Sequence, residues 1–332
     1  MNVTLIYLGR SGGGGKLARA VLSAIGESNC KLIVSDENEE IWPNETSKIK
    51  GIPSGILENI FFLFQRRERD RLLKSIVNEV TDSKVIFLML HPIDFAIRRR
   101  LKNKQIYTVI HDHKPHKGEI WPRKITIRRV LRNSDTKIFL SKFVFEKNSN
   151  RSKSDSVLLP LIMPKYSTHE KNARKYDVVF LGRHKKYKNF KFQIKLIKSI
   201  SENHKTFASV PKKYARKLHS NSNLQISTDW LTTNDFDKIL TGAKCLVLTH
   251  AAASQSGLFI ESLTNGIPVV GPRVPGIENQ FEEFQIPWIY EPDNLLDACL
   301  KTNIAMNQST IPIFTKNRIL DNAMAWKNYF LN

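Results

Sequence analysis

Three stretches of the chain carry residue types whose spacing could do chemistry. The first is Gly182-Arg183-His184-Lys185-Lys186-Tyr187-Lys188-Asn189, which follows a strand-like run at 177–181. Two cations, Arg183 and Lys188, placed just past a strand can neutralise a pyrophosphate without a metal ion. The second is Ser256-Gly257-Leu258-Phe259-Ile260-Glu261, a turn leading into a short helix. Its single carboxylate is an ionised acceptor suited to strong hydrogen bonds from hydroxyls. The third is His111-Asp112-His113-Lys114-Pro115-His116-Lys117-Gly118-Glu119, directly after a strand-like run at 106–110. Polar residues just past a strand's carboxyl end are where open α/β sheets bind ligands.

The histidines, Asp112 and Glu119 of that third stretch are dense enough to raise a metal site. The spacing from Asp112 to His116 falls in a loop with Pro115 and Gly118, and not on a helix face that would align ligands, so no metal is expected. A fourth stretch, Gly12-Gly13-Gly14-Gly15-Lys16, follows the first strand-like run. It fails the phosphate-loop pattern because Arg10 stands five places before Gly15 and Leu17 follows Lys16. It fails the dinucleotide pattern because Leu17 takes the position of the last glycine. What remains is a glycine loop at a strand end whose backbone can approach a ligand closely, or a plain connecting turn.

The elements that must position these groups alternate between strand and helix. Residues 3–8 read as a strand, 9–15 as the glycine loop and 16–25 as a helix, the opening of a doubly wound α/β domain. Further strands are expected at 31–35, 84–90, 106–110, 136–140 and 157–160. Residues 36–55 read as a polar, turn-rich loop and 56–80 as one helix. Within it, Ile60 to Phe64 is apolar all round and the stretch after it nearly all charged, which fits either a core helix or an interface-lying element. Residues 119–133 read as a basic helix and 165–175 as a linker. The second half repeats the alternation, with strands at 177–181, 224–227, 245–248, 267–270 and 286–290. Helices are expected at 190–200, 233–240, 294–305 and 319–331. His250 reads as a buried structural histidine.

Ser256 to Gly271, with Gly266-Ile-Pro-Val-Val at its end, resembles the donor-site signature of retaining family-four glycosyltransferases of the GT-B fold. The stretch from Gly182 to Lys188 is similar to that family's glycine-arginine-lysine motif, with Asn189 in place of its final glycine. The stretch from His111 to Glu119 resembles a loop of some bacterial members. The signature's first glutamate is absent, since either alignment puts Ala253 or Ser254 there.

The resemblance implies two Rossmann-like domains facing a cleft. An acceptor-side domain would span 1–164, a nucleotide-sugar domain 176–312, and a helix at 313–332 would pack back towards the first. It implies that Glu261 holds the donor's ribose, with Gly257 and Leu258 beside it, and that Arg183 and Lys188 hold the diphosphate. Gly13 and Gly14 would face the phosphates and the acceptor. His111 and Asp112 would act at the transferred sugar, and His116 and Glu119 would line the acceptor side. It further implies transfer of a hexose-type sugar from a UDP- or GDP-linked donor with retention of configuration and no metal or other cofactor. An epimerase or inactive scaffold on the same fold remains open.

Charge narrows the partners. The net charge of +21 is uneven: 91–153 has seventeen Lys and Arg against five Asp and Glu, 161–217 sixteen against three, and 218–332 seven against eleven. Such segments call for an anionic partner, either lipid headgroups and pyrophosphates or nucleic acid. No helix-turn-helix, zinc-finger or RNP-like motif supports nucleic acid. The expected partners are therefore a nucleotide sugar, a lipid-pyrophosphate-linked saccharide acceptor and an anionic membrane surface, as in cell-surface polysaccharide synthesis. Cys30, Cys245 and Cys299 form no C-x-x-C pair, which fits a reducing cytoplasm. The first residues lack a basic signal-peptide region, and no apolar run reaches the roughly 18 residues that span a bilayer. The expectation is a cytoplasmic protein peripherally attached to the inner face of the cell membrane.

Overall fold

The computed structural model describes residues 3–9, 12–38, 42–43, 46–53, 58, 62, 65–111, 136–148, 155–166, 174–185, 187–218, 221–308 and 310–332. The chain divides into two compact units, residues 1–163 with 322–332, and residues 164–321.

The first unit is built on seven parallel strands: β1 (Val3–Tyr7), β2 (Cys30–Ser35), β3 (Ser47–Ile49), β4 (Lys84–Phe87), β5 (Gln105–Ile110), β6 (Thr136–Phe139) and β7 (Asp155–Leu158). They lie in the order β3-β2-β1-β4-β5-β6-β7. The order reverses between β1 and β4, whose register pairs Val3 with Lys84 and Ile6 with Phe87. Strands covered on both faces must be apolar throughout rather than alternating, and β1 is buried at every position. Around the sheet stand α1 (Gly13–Ile25), α2 (Arg66–Glu79), α3 (Asp94–Arg100) and α4 (Lys142–Asn148).

The second unit has six parallel strands: β8 (Tyr176–Phe180), β9 (Thr206–Ser209), β10 (Leu224–Ser227), β11 (Ala243–Val247), β12 (Val269–Pro272) and β13 (Ile289–Tyr290). Their order, β10-β9-β8-β11-β12-β13, reverses between β8 and β11. Its helices are α5 (Phe190–Ser201), α6 (Lys212–Ala215), α7 (Thr233–Thr241), α8 (Gly257–Thr264), α9 (Pro275–Glu283) and α10 (Leu295–Met306). A last helix, α11 (Ile313–Leu331), begins in this unit and ends in the first. There Trp326 Nε1 donates to Pro160 O at 2.8 Å, Lys84 Nζ donates to Phe330 O at 2.9 Å, and the Phe330 ring stands edge-on to Tyr107.

Several elements differ from the sequence expectation, each for a local reason. Gly13 and Gly14 form the first turn of α1 and not a loop, since Gly12 at φ +88° turns the chain and its carbonyl accepts from Gly15 N. At Gly14 a side chain would meet Tyr7 and Met89 within about 3 Å, so glycine lets the helix lie close on the sheet. The helix expected over 56–80 is broken at Gln65, whose ψ of 71° is not helical, and starts afresh at Arg66. The loop at 36–55 contains the edge strand β3. The strand expected at 286–290 keeps two residues, because Pro287 has no N–H for the ladder. The last helix starts at Ile313, six residues early, after Pro312. No element was expected at β9, α3 or α9. The basic helix at 119–133 lies outside the described residues, as does most of the apolar turn at 60–64.

Candidate active site

In both units the strand order reverses beside the first strand, and the carboxyl ends flanking that point form a crevice where open α/β sheets bind ligands. In the second unit, β8 delivers Gly182-Arg183 and β11 delivers Thr249-His250. The loop between β8 and α5 is pinned there by backbone bonds from Asn189 N to Thr249 O (2.7 Å) and from Ala251 N to Tyr187 O (2.8 Å). The rings of Tyr187 and His250 stack at 5.6 Å. Asn189, at the position where the resembled motif has glycine, caps α5: its side chain accepts from Phe192 N at 3.2 Å and donates to Asp293 at 2.7 Å.

This loop holds the two cations differently. Lys188 Nζ donates to Leu181 O at 2.7 Å and folds over Gly182, whose φ of +108° suits glycine alone. A Cβ at Gly182 would lie 2.4 Å from that ammonium and 3.5 Å from Leu258 Cδ2. Lys188 and Leu258 therefore meet over one glycine, although they come from different motifs. Part of the Lys188 residue surface is exposed, but its ammonium is enclosed by protein, and desolvation pulls its pKa down to about 8. Arg183 is exposed and lies over the Trp230 ring at 5.6 Å. His184 bonds Ser209 Oγ at 3.1 Å; burial and then the Lys188 charge lower its pKa.

Glu261 is 4% exposed, on the second turn of α8. A carboxylate so enclosed must be hydrogen-bonded, and the Tyr166 hydroxyl donates to its Oε1. Burial, then Glu261, then Asp237 raise the Tyr166 pKa, so the hydroxyl keeps its proton. Asn265, one turn after Glu261, accepts from Tyr166 N at 2.8 Å and donates to Pro164 O at 3.3 Å. At the other end of α8, Ser256 caps the helix by accepting from Phe259 N at 3.3 Å. Buried Gln280 accepts from Ser256 N at 2.7 Å and donates to Ser256 O at 3.3 Å, satisfying both backbone groups. Gln280 belongs to α9, which comes close only because Gly276 lacks a side chain. A Cβ there would lie 2.2 Å from Ala253 O and 2.4 Å from Ser254 O.

In the first unit, His111 stands at the end of β5. Its Nε2 is 2.9 Å from Leu88 O, which can only accept, so Nε2 carries a proton and donates it there. Gly13 lies at the start of α1 with open space where a side chain would be. Beside His111's strand, Asp94 is fully buried. It accepts from His91 N at 2.6 Å, and burial, opposed by Arg98 and that bond, raises its pKa to about 7. His91 is held neutral, its pKa drawn down to about 4 by burial. Asp112, His116 and Glu119 lie outside the described residues.

The structure thus brings Lys188 and Leu258 together in the second unit and sets Arg183 and Glu261 on the flanking loop and helix. Sequence reasoning missed Tyr166, Gln280 and Asp94. Only Gln280, on the helix that Pro275 announces, left any trace in the sequence.

No protein-family model and no curated protein sequence matches the chain. Solved structures match it in fold. Sucrose-phosphate synthase from Thermosynechococcus elongatus superposes with a TM-score of 0.67 at 13% identity, covering 100% of this chain and 95% of that one. WaaG, a glycosyltransferase involved in lipopolysaccharide biosynthesis, gives 0.65 at 14% identity over 98% of this chain and 94% of that one. Anabaena HepE, solved in complex with UDP-glucose, gives 0.62 at 10% identity over 99% and 94%. With its two parallel sheets and these likenesses, the chain has the GT-B fold.

Proposed function

We propose that the chain is a glycosyltransferase that moves a hexose-type sugar from a nucleotide-sugar donor to a lipid-linked or saccharide acceptor with retention of configuration. The observation that carries this reading is the meeting of the 182–188 loop with α8 at Gly182, where Lys188 and Leu258 converge. That meeting puts a desolvated ammonium beside the helix that carries a buried carboxylate. In this reading Glu261 accepts from the ribose hydroxyls, with Gly257 and Leu258 beside the nucleoside. Arg183 and Lys188 take up the charge that develops on the departing diphosphate, a form of stabilisation worth several kcal/mol, with no metal required. HepE was solved with UDP-glucose, and another structure of this fold with UDP-2-fluoro glucose, which supports a UDP-linked donor here.

Gly13, Gly14 and His111 belong to the acceptor-side unit. His111 with Asp112 acts at the transferred sugar, and His116 and Glu119 receive the acceptor. The excess of Lys and Arg favours a lipid-pyrophosphate-linked saccharide as acceptor, presented at the cytoplasmic face of the membrane in cell-surface polysaccharide synthesis. No helix among the described residues is long and apolar enough to cross a membrane, so attachment is peripheral in this reading.

The test is incubation with a panel of UDP and GDP sugars, reading release of free nucleotide and the rise in melting temperature that a ligand of the native state must cause. One donor that stabilises the protein and releases its nucleotide on adding acceptor is the expected result. No shift and no release with any donor overturns the reading.

A further inference from the structure

Two neighbouring helices of the second unit show unlike faces to solvent. On α5 the exposed residues are Lys191, Lys195 and Lys198, one stripe at helical spacing, and the helix has no acidic residue. Packed beside it is α10, where Cys299 Sγ donates to Ser199 Oγ of α5 at 3.4 Å. The outer stripe of α10 is apolar: Leu296 is 83% exposed, Leu300 56% and Ile304 41%, four residues apart in turn. A merely solvated helix face mixes both signs of charge and avoids like charges at this spacing. Three large aliphatic side chains in a row on the adjoining helix gain nothing from water.

We propose that these paired stripes form a face that docks onto an anionic lipid surface. The aliphatic ridge of α10 enters the boundary between headgroups and acyl chains, and the lysine row of α5 reaches the anionic headgroups on extended stems. An anionic membrane satisfies both stripes at once, which is what selects it as occupant. The proposal deepens the lipid-borne acceptor of the preceding section, but vesicle binding is its readout and is independent of sugar transfer.

The experiment is co-sedimentation of the full chain with phosphatidylcholine vesicles, with and without phosphatidylglycerol at about a third of the lipid. Binding only to the phosphatidylglycerol vesicles, weakened by salt, is expected. The triple variant Leu296→Ser, Leu300→Ser, Ile304→Ser keeps the net charge and lowers the partition coefficient about tenfold or more. Lys191→Glu, Lys195→Glu, Lys198→Glu does the same. The charge-matched control Lys48→Glu, Lys50→Glu, Lys74→Glu, exposed on the first unit, loses far less. Should a triple variant fail to fold, Leu296→Trp serves alone, its emission shifting to the blue with phosphatidylglycerol vesicles. An aliphatic triple that binds like the parent, a control as damaging as the lysine triple, an unshifted Trp, or no sedimentation at all overturns the proposal. Nucleotide release that persists in a variant that no longer sediments bears on this face alone.

Discussion

The Tyr166 hydroxyl donates a hydrogen bond to the Glu261 carboxylate, the group expected to hold a ribose. Tyr166 and Pro164 are also tied to Asn265, so the first residues of the second unit are stitched along the side of α8. A carboxylate 4% exposed is thereby supplied with a hydrogen-bond donor.

Tyr166→Phe removes the donor and leaves the carboxylate buried, which destabilises the protein by about 1–3 kcal/mol. Glu261→Gln keeps an oxygen that accepts from Tyr166, so its melting temperature stays close to the parent's. It loses the charge that strengthens a bond to ribose, and donor affinity falls about tenfold to a hundredfold. Melting curves and calorimetric titration with the nucleotide separate the two effects. A Glu261→Gln variant that binds the nucleotide like the parent removes this residue from the site.

Lys188 gives the site a pH dependence with a definite sign. Its folded pKa, about 8, lies below its ordinary value of 10.5 because of desolvation. Between those values the unfolded chain holds the proton that the folded chain has lost, so this group makes the protein more stable as pH rises through the window. Binding a diphosphate runs the other way, since the charged ammonium is the form that binds. Affinity for the nucleoside diphosphate therefore falls as pH rises through about 8, with proton uptake on binding. Calorimetry in two buffers of different ionisation enthalpy reads that proton. Lys188→Ala flattens the profile, and equal affinities at pH 7 and pH 9.5 in the parent exclude the role.

The alternation of strands and helices was legible in the sequence because buried parallel strands are continuous apolar runs, as in Val3 to Tyr7. The Gly182 to Lys188 loop and the helix bearing Glu261 were legible because they sit at the junctions of such runs. What escaped depends on contacts distant in sequence. Tyr166 lies in a polar stretch that reads as linker, and its partner is 95 residues away. The β9 segment Thr-Phe-Ala-Ser is short and three of its four residues are small or polar, so its strand state comes from lying between β8 and β10. Three successive glycines oppose a helix by propensity, yet Gly13–Gly15 are helical, with Gly14 lying close against Tyr7 of β1. Asn189 reads as a departure from a motif and proves to be a cap.

Gly276 is predicted to be intolerant of any side chain. A Cβ would press on the carbonyl oxygens of Ala253 and Ser254, backbone atoms that cannot swing aside. Gly276→Ala therefore pushes α9 outward and pulls Gln280 from the Ser256 backbone, at a cost of about 1–3 kcal/mol. Gln280→Ala leaves the same two backbone groups unpaired without the push. If Ser256 is what aims α8, both variants weaken nucleotide binding as well as lowering the melting temperature. Loss of stability with unchanged affinity in both would confine Gln280 to a structural role.

Asp94 carries the last prediction, in the first unit. Burial raises its pKa from 3.8 to about 7 against the opposing pull of Arg98 and the His91 N–H. One oxygen accepts that N–H at 2.6 Å, while Oδ1 has no hydrogen-bond partner. Because the folded value lies above the unfolded one, the contribution to stability is fully present below about pH 4 and is lost as pH rises to about 7. Above that the folded protein holds a buried charge. Asp94→Asn keeps an acceptor for His91 N and cannot ionise. The difference in urea midpoint between parent and variant should therefore move in the variant's favour between pH 4 and 8, by up to a few kcal/mol. Subtracting the two curves cancels the other titrating groups. A difference that stays flat with pH means that Asp94 is already ionised in the folded protein at acid pH, its charge compensated by Arg98.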